Sequence, residues 1–144
     1  SLPRSGLGIL LTFVTVVLVG PLGEEIVYRG LLHRLASGFW DPVKATILAS
    51  LIFALVHAEP WLLLGLVTIG IALSFLYETT GSLLACWVFH ALHNAVALIM
   101  MYSANEVQTE PTALSVQDFV WLGASLLVWM LVGGWLLALR RSRD

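Results

Sequence analysis

The chain has 144 residues, 59% of them hydrophobic and only 11% charged, with a net charge of −2 and a mean hydropathy of +0.93. A soluble domain carries about 25% charged residues, so the composition excludes an ordinary water-soluble fold, and the lack of a basic stripe excludes nucleic-acid binding. Five runs free of Asp, Glu, Lys and Arg (Ser5–Gly23, Ala45–Ala58, Trp61–Tyr77, Thr79–Asn105, Phe119–Leu139) approach or reach the roughly 20 residues that cross a bilayer. They predict an all-α, polytopic transmembrane bundle of about five spans.

In chain order, Ser5–Gly20 is an apolar, β-branched span that meets Gly20-Pro21, where the missing proline N–H predicts a kink. The helical pattern resumes over Leu22–Leu35 and stops at Ala36-Ser37-Gly38. This first run has no small-residue cleavage site, so it reads as a retained span and not a signal peptide. Ser1 in place of Met leaves room for a preceding segment. Asp41-Pro42 offers a cap and a first-turn proline to a second helix over Val43–Ala58. A third helix is predicted over Trp61–Tyr77, a turn over 78–82, a fourth helix over Leu83–Met101, a polar loop over Ser103–Thr112 and a fifth helix over Leu114–Leu139.

Within the third helix, Gly65, Gly70, Ala72 and Ser74 suit close helix packing. Trp40, Trp61, Trp121 and Trp135 suit interfacial anchoring or lipid contact. The single cysteine, Cys86, lies in an apolar run and is expected to be inert. The whole chain, 1–144, reads as one membrane-embedded domain. Five crossings put Arg34, Lys44, Arg140, Arg141 and Arg143 on one face, and Glu59, Glu106, Glu110 and Asp118 with Arg4 on the other. The excess of positive charge makes the Arg34/Lys44 loop and the C-terminus cytoplasmic, and the expected setting is a bacterial or archaeal plasma membrane.

Ionisable side chains inside spans are costly and mark function by default. Here they are Glu24, Glu25, Arg29, His33, His57, His90 and His93, with Asn94 beside them. At about 1.5 Å per residue, Glu24 and Glu25 lie roughly 14–15 Å before Arg34, His57 roughly 20 Å beyond Lys44, and His90 and Asn94 roughly 12 and 18 Å beyond Ser82. Three helices thus deliver polar groups to a similar depth, which points to one shared site. Glu25 and Arg29 are four apart and can pair on one helix face, as a support or as a purely structural ion pair. Glu24 is then free to act as the general base.

His90 and Asn94, also four apart, project as two donors, and Phe53 one turn before His57 can wall the site. These groups suit peptide hydrolysis: Glu24 with His57 would deprotonate a water, and His90 with Asn94 would bind the oxyanion. The competing arrangement puts a zinc ion on Glu24, His57 and His90 with an open position for water. His33 is expected near the interface beside Arg34, and His93 as a neighbour and not a ligand. A carrier using Glu24 and the histidines as a relay is disfavoured, because the sequence has no inverted halves.

Three motifs now carry a family resemblance. Glu24-Glu25-Ile-Val-Tyr-Arg29-Gly30, Phe53-Ala-Leu-Val-His57 and His90-Ala-Leu-His-Asn94 occur in that order, with the Tyr77…Thr80-Gly81-Ser82-Leu83 stretch ahead of the third. Over about Pro21–Ala97 the chain resembles the CPBP (Abi) family of type II CAAX prenyl endopeptidases and bacteriocin-processing proteins. The resemblance implies an intramembrane endopeptidase with Glu24 as base, His57 as its partner, His90 and Asn94 on the oxyanion side, and Glu25 and Arg29 in support. It implies a membrane-associated, prenylated peptide or protein as substrate and membrane lipid as surroundings. It implies no cofactor under the glutamate mechanism, with zinc as the alternative. Family members that serve bacteriocin immunity or act as scaffolds give the rival, non-catalytic reading.

Overall fold

The structure, a computed structural model, describes residues 5–104. The expected fifth helix, the 105–112 loop, Trp121, Trp135 and the C-terminal arginines lie outside the described residues. The described elements are all helical. Helix α1 runs over Gly6–Ser37, α2 over Pro42–Val56, α3 over Leu63–Thr80 and α4 over Leu83–Ala104. A single 3₁₀ turn, Pro60–Leu62, precedes α3. Three stretches, Gly6–Ser37, Pro60–Thr80 and Leu83–Ser103, are long and apolar enough to cross a membrane, and α2 is a shorter apolar helix.

The irregularity expected at Gly20-Pro21 is a change of winding inside a continuous α1. The α-helical start Gly6–Phe13 passes into π-helix over Val14–Val19, returns to α-helix over Gly20–Glu25, and widens again over Ile26–His33. A proline inside an α-helix collides with the carbonyl four residues back. A π-helical turn spaces its bonds five apart, and such turns are a recognised way to absorb a disturbed ladder. The Gly20 N–H accordingly reaches back to the Thr15 carbonyl, and Pro21 follows without breaking the helix.

Asp41 caps α2: its Oδ1 accepts from the Lys44 N–H at 3.1 Å and its Oδ2 pairs with Lys44 Nζ at 2.8 Å. The Lys44 side chain first, and then the backbone N–H, hold the Asp41 carboxyl below its ordinary range. Helix α2 ends two residues earlier than the apolar run suggests, with His57 at its C-cap and Ala58 in the left-handed region at φ +53°. Helix α3 instead continues three residues further, through the expected turn. Thr79 and Thr80 turn their hydroxyls back onto the Phe75 and Leu76 carbonyls, so their polarity is absorbed within the helix. Gly81, at φ +64°, then terminates it.

Helices α2 and α3 pack along each other. A Cβ on Gly70 would stand 2.9 Å from Ser50 Cβ and 3.0 Å from its Cα, so only glycine allows this approach. Gly65 has nothing within 4 Å of such an atom, and the small-residue surface of α3 is therefore narrower than the sequence suggests. The bundle is inverted relative to a soluble protein. Leu10, Val19, Leu31, Leu55, Leu64, Leu84, Leu92 and Ile99 face outward, while Glu25, Arg29, His33, Ser50, Ser74 and His90 are buried among Ala49, Phe53, Leu73 and Cys86.

Candidate active site

Glu24 and Glu25 close the short α-helical stretch between the two wide segments of α1. As adjacent helical residues they diverge. Glu25 turns inward and is fully buried. Its Oε1 accepts from Arg29 Nη1 at 2.9 Å and from His90 Nδ1 at 2.7 Å. Arg29 is buried with it, donates Nη2 to the Gly70 carbonyl at 3.0 Å, and lays its guanidinium 5.2 Å from the Phe53 ring centroid. One ion pair thereby joins α1, α3 and α4 and gives Glu25 the compensation that a carboxylate needs away from water.

Glu24 remains 32% accessible and brings Oε2 to 3.6 Å from His90 Nε2. That is beyond hydrogen-bond range; Glu24 Oε2 is itself buried with no hydrogen bond among the described residues, so the accessible part of the side chain is its other atoms. One imidazole therefore stands between two carboxylates. Because an ionised carboxylate can only accept, the Glu25 contact puts a proton on His90 Nδ1. Two carboxylates and one guanidinium sum to −1, and when His90 carries both ring protons the four groups sum to zero.

His57 lies at the end of α2 with Nδ1 2.7 Å from the Phe53 carbonyl. A carbonyl cannot donate, so Nδ1 carries the proton and the neutral ring offers Nε2 as an acceptor. Phe53 is the buried partition of the site: its ring centroid is 4.6 Å from His57, 5.9 Å from His90 and 5.1 Å from Tyr28. The structure thus gathers Glu24, Glu25, Arg29, Phe53 and His90 by direct contact and joins His57 to them through Phe53. Asn94 is engaged elsewhere: its Nδ2 donates to the Val16 carbonyl of α1 at 3.0 Å.

His33 lies near the C-terminal end of α1, four residues before Ser37. It is fully buried, with Nε2 3.2 Å from Thr46 Oγ1 and 3.6 Å from Glu78 Oε1. Glu25, Arg29 and His33 are four apart, the spacing that lines one helix face, and all three are buried in the interior. Sequence reasoning also missed Tyr28, the Gly70 carbonyl and Trp87. Only Trp87 left a trace, standing three residues before His90 and seven before Asn94 on one helical stripe. Among the described residues, no three His, Cys, Asp or Glu side chains form a metal-binding group.

Residues 6–96 match the family described as Type II CAAX prenyl endopeptidase Rce1-like. The chain belongs to this family. Glu24, Glu25, Arg29, Phe53, His57, His90 and Asn94 all lie within the matched stretch. Membership in the type II CAAX prenyl endopeptidases implies a membrane-embedded protease acting on a membrane-associated peptide. Nothing among curated proteins or solved structures matches the chain.

Proposed function

We propose that this type II CAAX prenyl endopeptidase family member cleaves a lipid-modified peptide by a glutamate mechanism in which Glu24 activates the attacking water. The observation that carries the reading is the carboxylate–imidazole–carboxylate row, with Glu25 Oε1 2.7 Å from His90 Nδ1 and Glu24 Oε2 3.6 Å from His90 Nε2. Glu24 takes a proton from water, and His57 Nε2 accepts a hydrogen bond from the O–H that stays on it. The hydroxide adds to the scissile carbonyl. His90, held by Glu25 and carrying its second proton on Nε2, donates to the oxyanion. Protonated Glu24 then returns its proton to the departing amine.

A general base is worth about 10²–10⁴ in rate, and one oxyanion donor about 10²–10³. The zinc alternative asks Glu24, His57 and His90 to share one ion, whereas both nitrogens of His90 face carboxylates here. The test uses purified protein in detergent, a farnesylated CAAX peptide and its unprenylated twin, with and without a zinc chelator. Glutamate chemistry expects cleavage of the farnesylated peptide that survives the chelator and is lost in Glu24→Gln and His57→Ala. Loss on chelation restored by added zinc would replace it with a metalloprotease. Cleavage retained by Glu24→Gln would overturn the assignment of the base.

A further inference from the structure

The wide turn over Val14–Val19 leaves a specific backbone oxygen without a partner in its own helix. Gly20 sends its N–H to the Thr15 carbonyl, five residues back. The next bond in that register would run from residue 21 to the Val16 carbonyl, but residue 21 is proline and has no N–H. The Val16 carbonyl therefore has no backbone donor at either the four- or the five-residue spacing. In a bilayer such a group must be satisfied by a neighbouring helix.

Helix α4 supplies that satisfaction and adds a second tether. Asn94 Nδ2 donates to the Val16 carbonyl at 3.0 Å, and Trp87 Nε1 donates to the Leu18 carbonyl at 2.9 Å. Trp87, His90 and Asn94 are spaced as i, i+3 and i+7, so a single stripe of α4 contacts α1 at two wide-turn carbonyls and at Glu25. The apolar cluster of Val17, Ala91 and Leu98 sits alongside. The turn matters to the chemistry because the α1 ladder changes register where it ends, at Val19, five residues before Glu24. Relaxation to α-helical spacing would rotate everything downstream relative to α4.

We propose that Trp87 is a positioning residue: its N–H, together with the Asn94 amide, holds the wide turn open and so fixes where Glu24 stands beside His90. This rests on Glu24 being the base. The tether itself is independent of that reading.

Two variants oppose each other in the test. Trp87→Phe keeps a ring and loses the donor. Trp87→Gln loses the ring and keeps an N–H donor of comparable reach. The two readouts are hydrogen exchange of the amides of residues 14–24 in detergent and turnover of the farnesylated CAAX peptide. In Trp87→Phe the exchange of this segment should rise severalfold. Its turnover should fall about tenfold at unchanged KM, since a displacement near 1 Å can cost about 10². Trp87→Gln should resemble wild type in both.

Unchanged exchange in Trp87→Phe, with faster exchange in Trp87→Gln, would reduce Trp87 to packing and overturn the proposal. Faster exchange with full turnover would overturn the positioning role. If Trp87→Phe does not fold, Trp87→Gln still decides by keeping or losing wild-type exchange. A wild-type protein that cleaves no peptide would count against the protease reading, while the exchange comparison would still decide the tether.

Discussion

Replacing Arg29 by methionine tests how the site survives in the membrane. The guanidinium is 1% exposed and holds two partners, Glu25 Oε1 at 2.9 Å and the Gly70 carbonyl at 3.0 Å. Methionine preserves most of the apolar stem, so the loss is chiefly electrostatic. Removing one member of a buried ion pair strands the other and costs about 3–5 kcal/mol. Leaving the Gly70 carbonyl unpaired costs about 1–3 kcal/mol. The two share one side chain and do not simply add, so Arg29→Met should destabilise by about 4 kcal/mol.

The informative comparison is the double variant Glu25→Gln, Arg29→Met, in which no charge is stranded. It should recover roughly 1.5–3 kcal/mol of that loss, within the range of coupling between contacting residues. Equilibrium unfolding in mixed micelles, following the wild type, both singles and the double, measures the coupling. A double variant no more stable than Arg29→Met would refute the argument that Arg29 is there to compensate Glu25. So would an Arg29→Met protein within 1 kcal/mol of wild type, given the coupling expected from this geometry.

Other substitutions separate positions that look alike. Gly70→Ala must push against Ser50, which stands 2.9 Å from the added carbon, and should cost about 1–3 kcal/mol by overpacking. Gly65→Ala has open space and should be neutral or gain up to about 1 kcal/mol of helix propensity; the same unfolding assay ranks the pair. Gly81→Ala should cost about 1–2 kcal/mol, because alanine is strained at φ +64°, whereas Ala58→Gly, relieving φ +53°, should cost nothing. Cys86 is fully buried with its thiol 3.5 Å from the Leu73 carbonyl. Maleimide labelling should therefore fail in native micelles and go to completion after denaturation; rapid native labelling would refute the packing of α3 against α4.

The sequence made the described spans legible because apolar runs set helix number by length, and the polar residues inside them stood out by cost. Glu25–Arg29 was legible as a pair because four residues approximate one turn. The winding of α1 was not. Pro21 announces a disturbance, but nothing in Val14–Val19 distinguishes a π-helix from an α-helix, since both expose the same apolar side chains to lipid. Gly65 and Gly70 are the same residue type five positions apart, and only the neighbouring helix decides which one is required. The two ends of the α3 connection misled for a local reason: Thr79 and Thr80 resemble turn residues until their hydroxyls are seen bonded to their own helix.

The grip of α4 on the wide turn has a consequence for how this protein can vary. Trp87 and Asn94 grasp peptide oxygens, and every amino acid at positions 16 and 18 presents the same oxygen. The contact is written in side chains on one helix and is blind to side chains on the other. Residues 16 and 18 are thus at liberty to follow the lipid, exchanging valine and leucine for other apolar types without touching the fastening. The obligation falls wholly on α4 and on the proline that bares the oxygen.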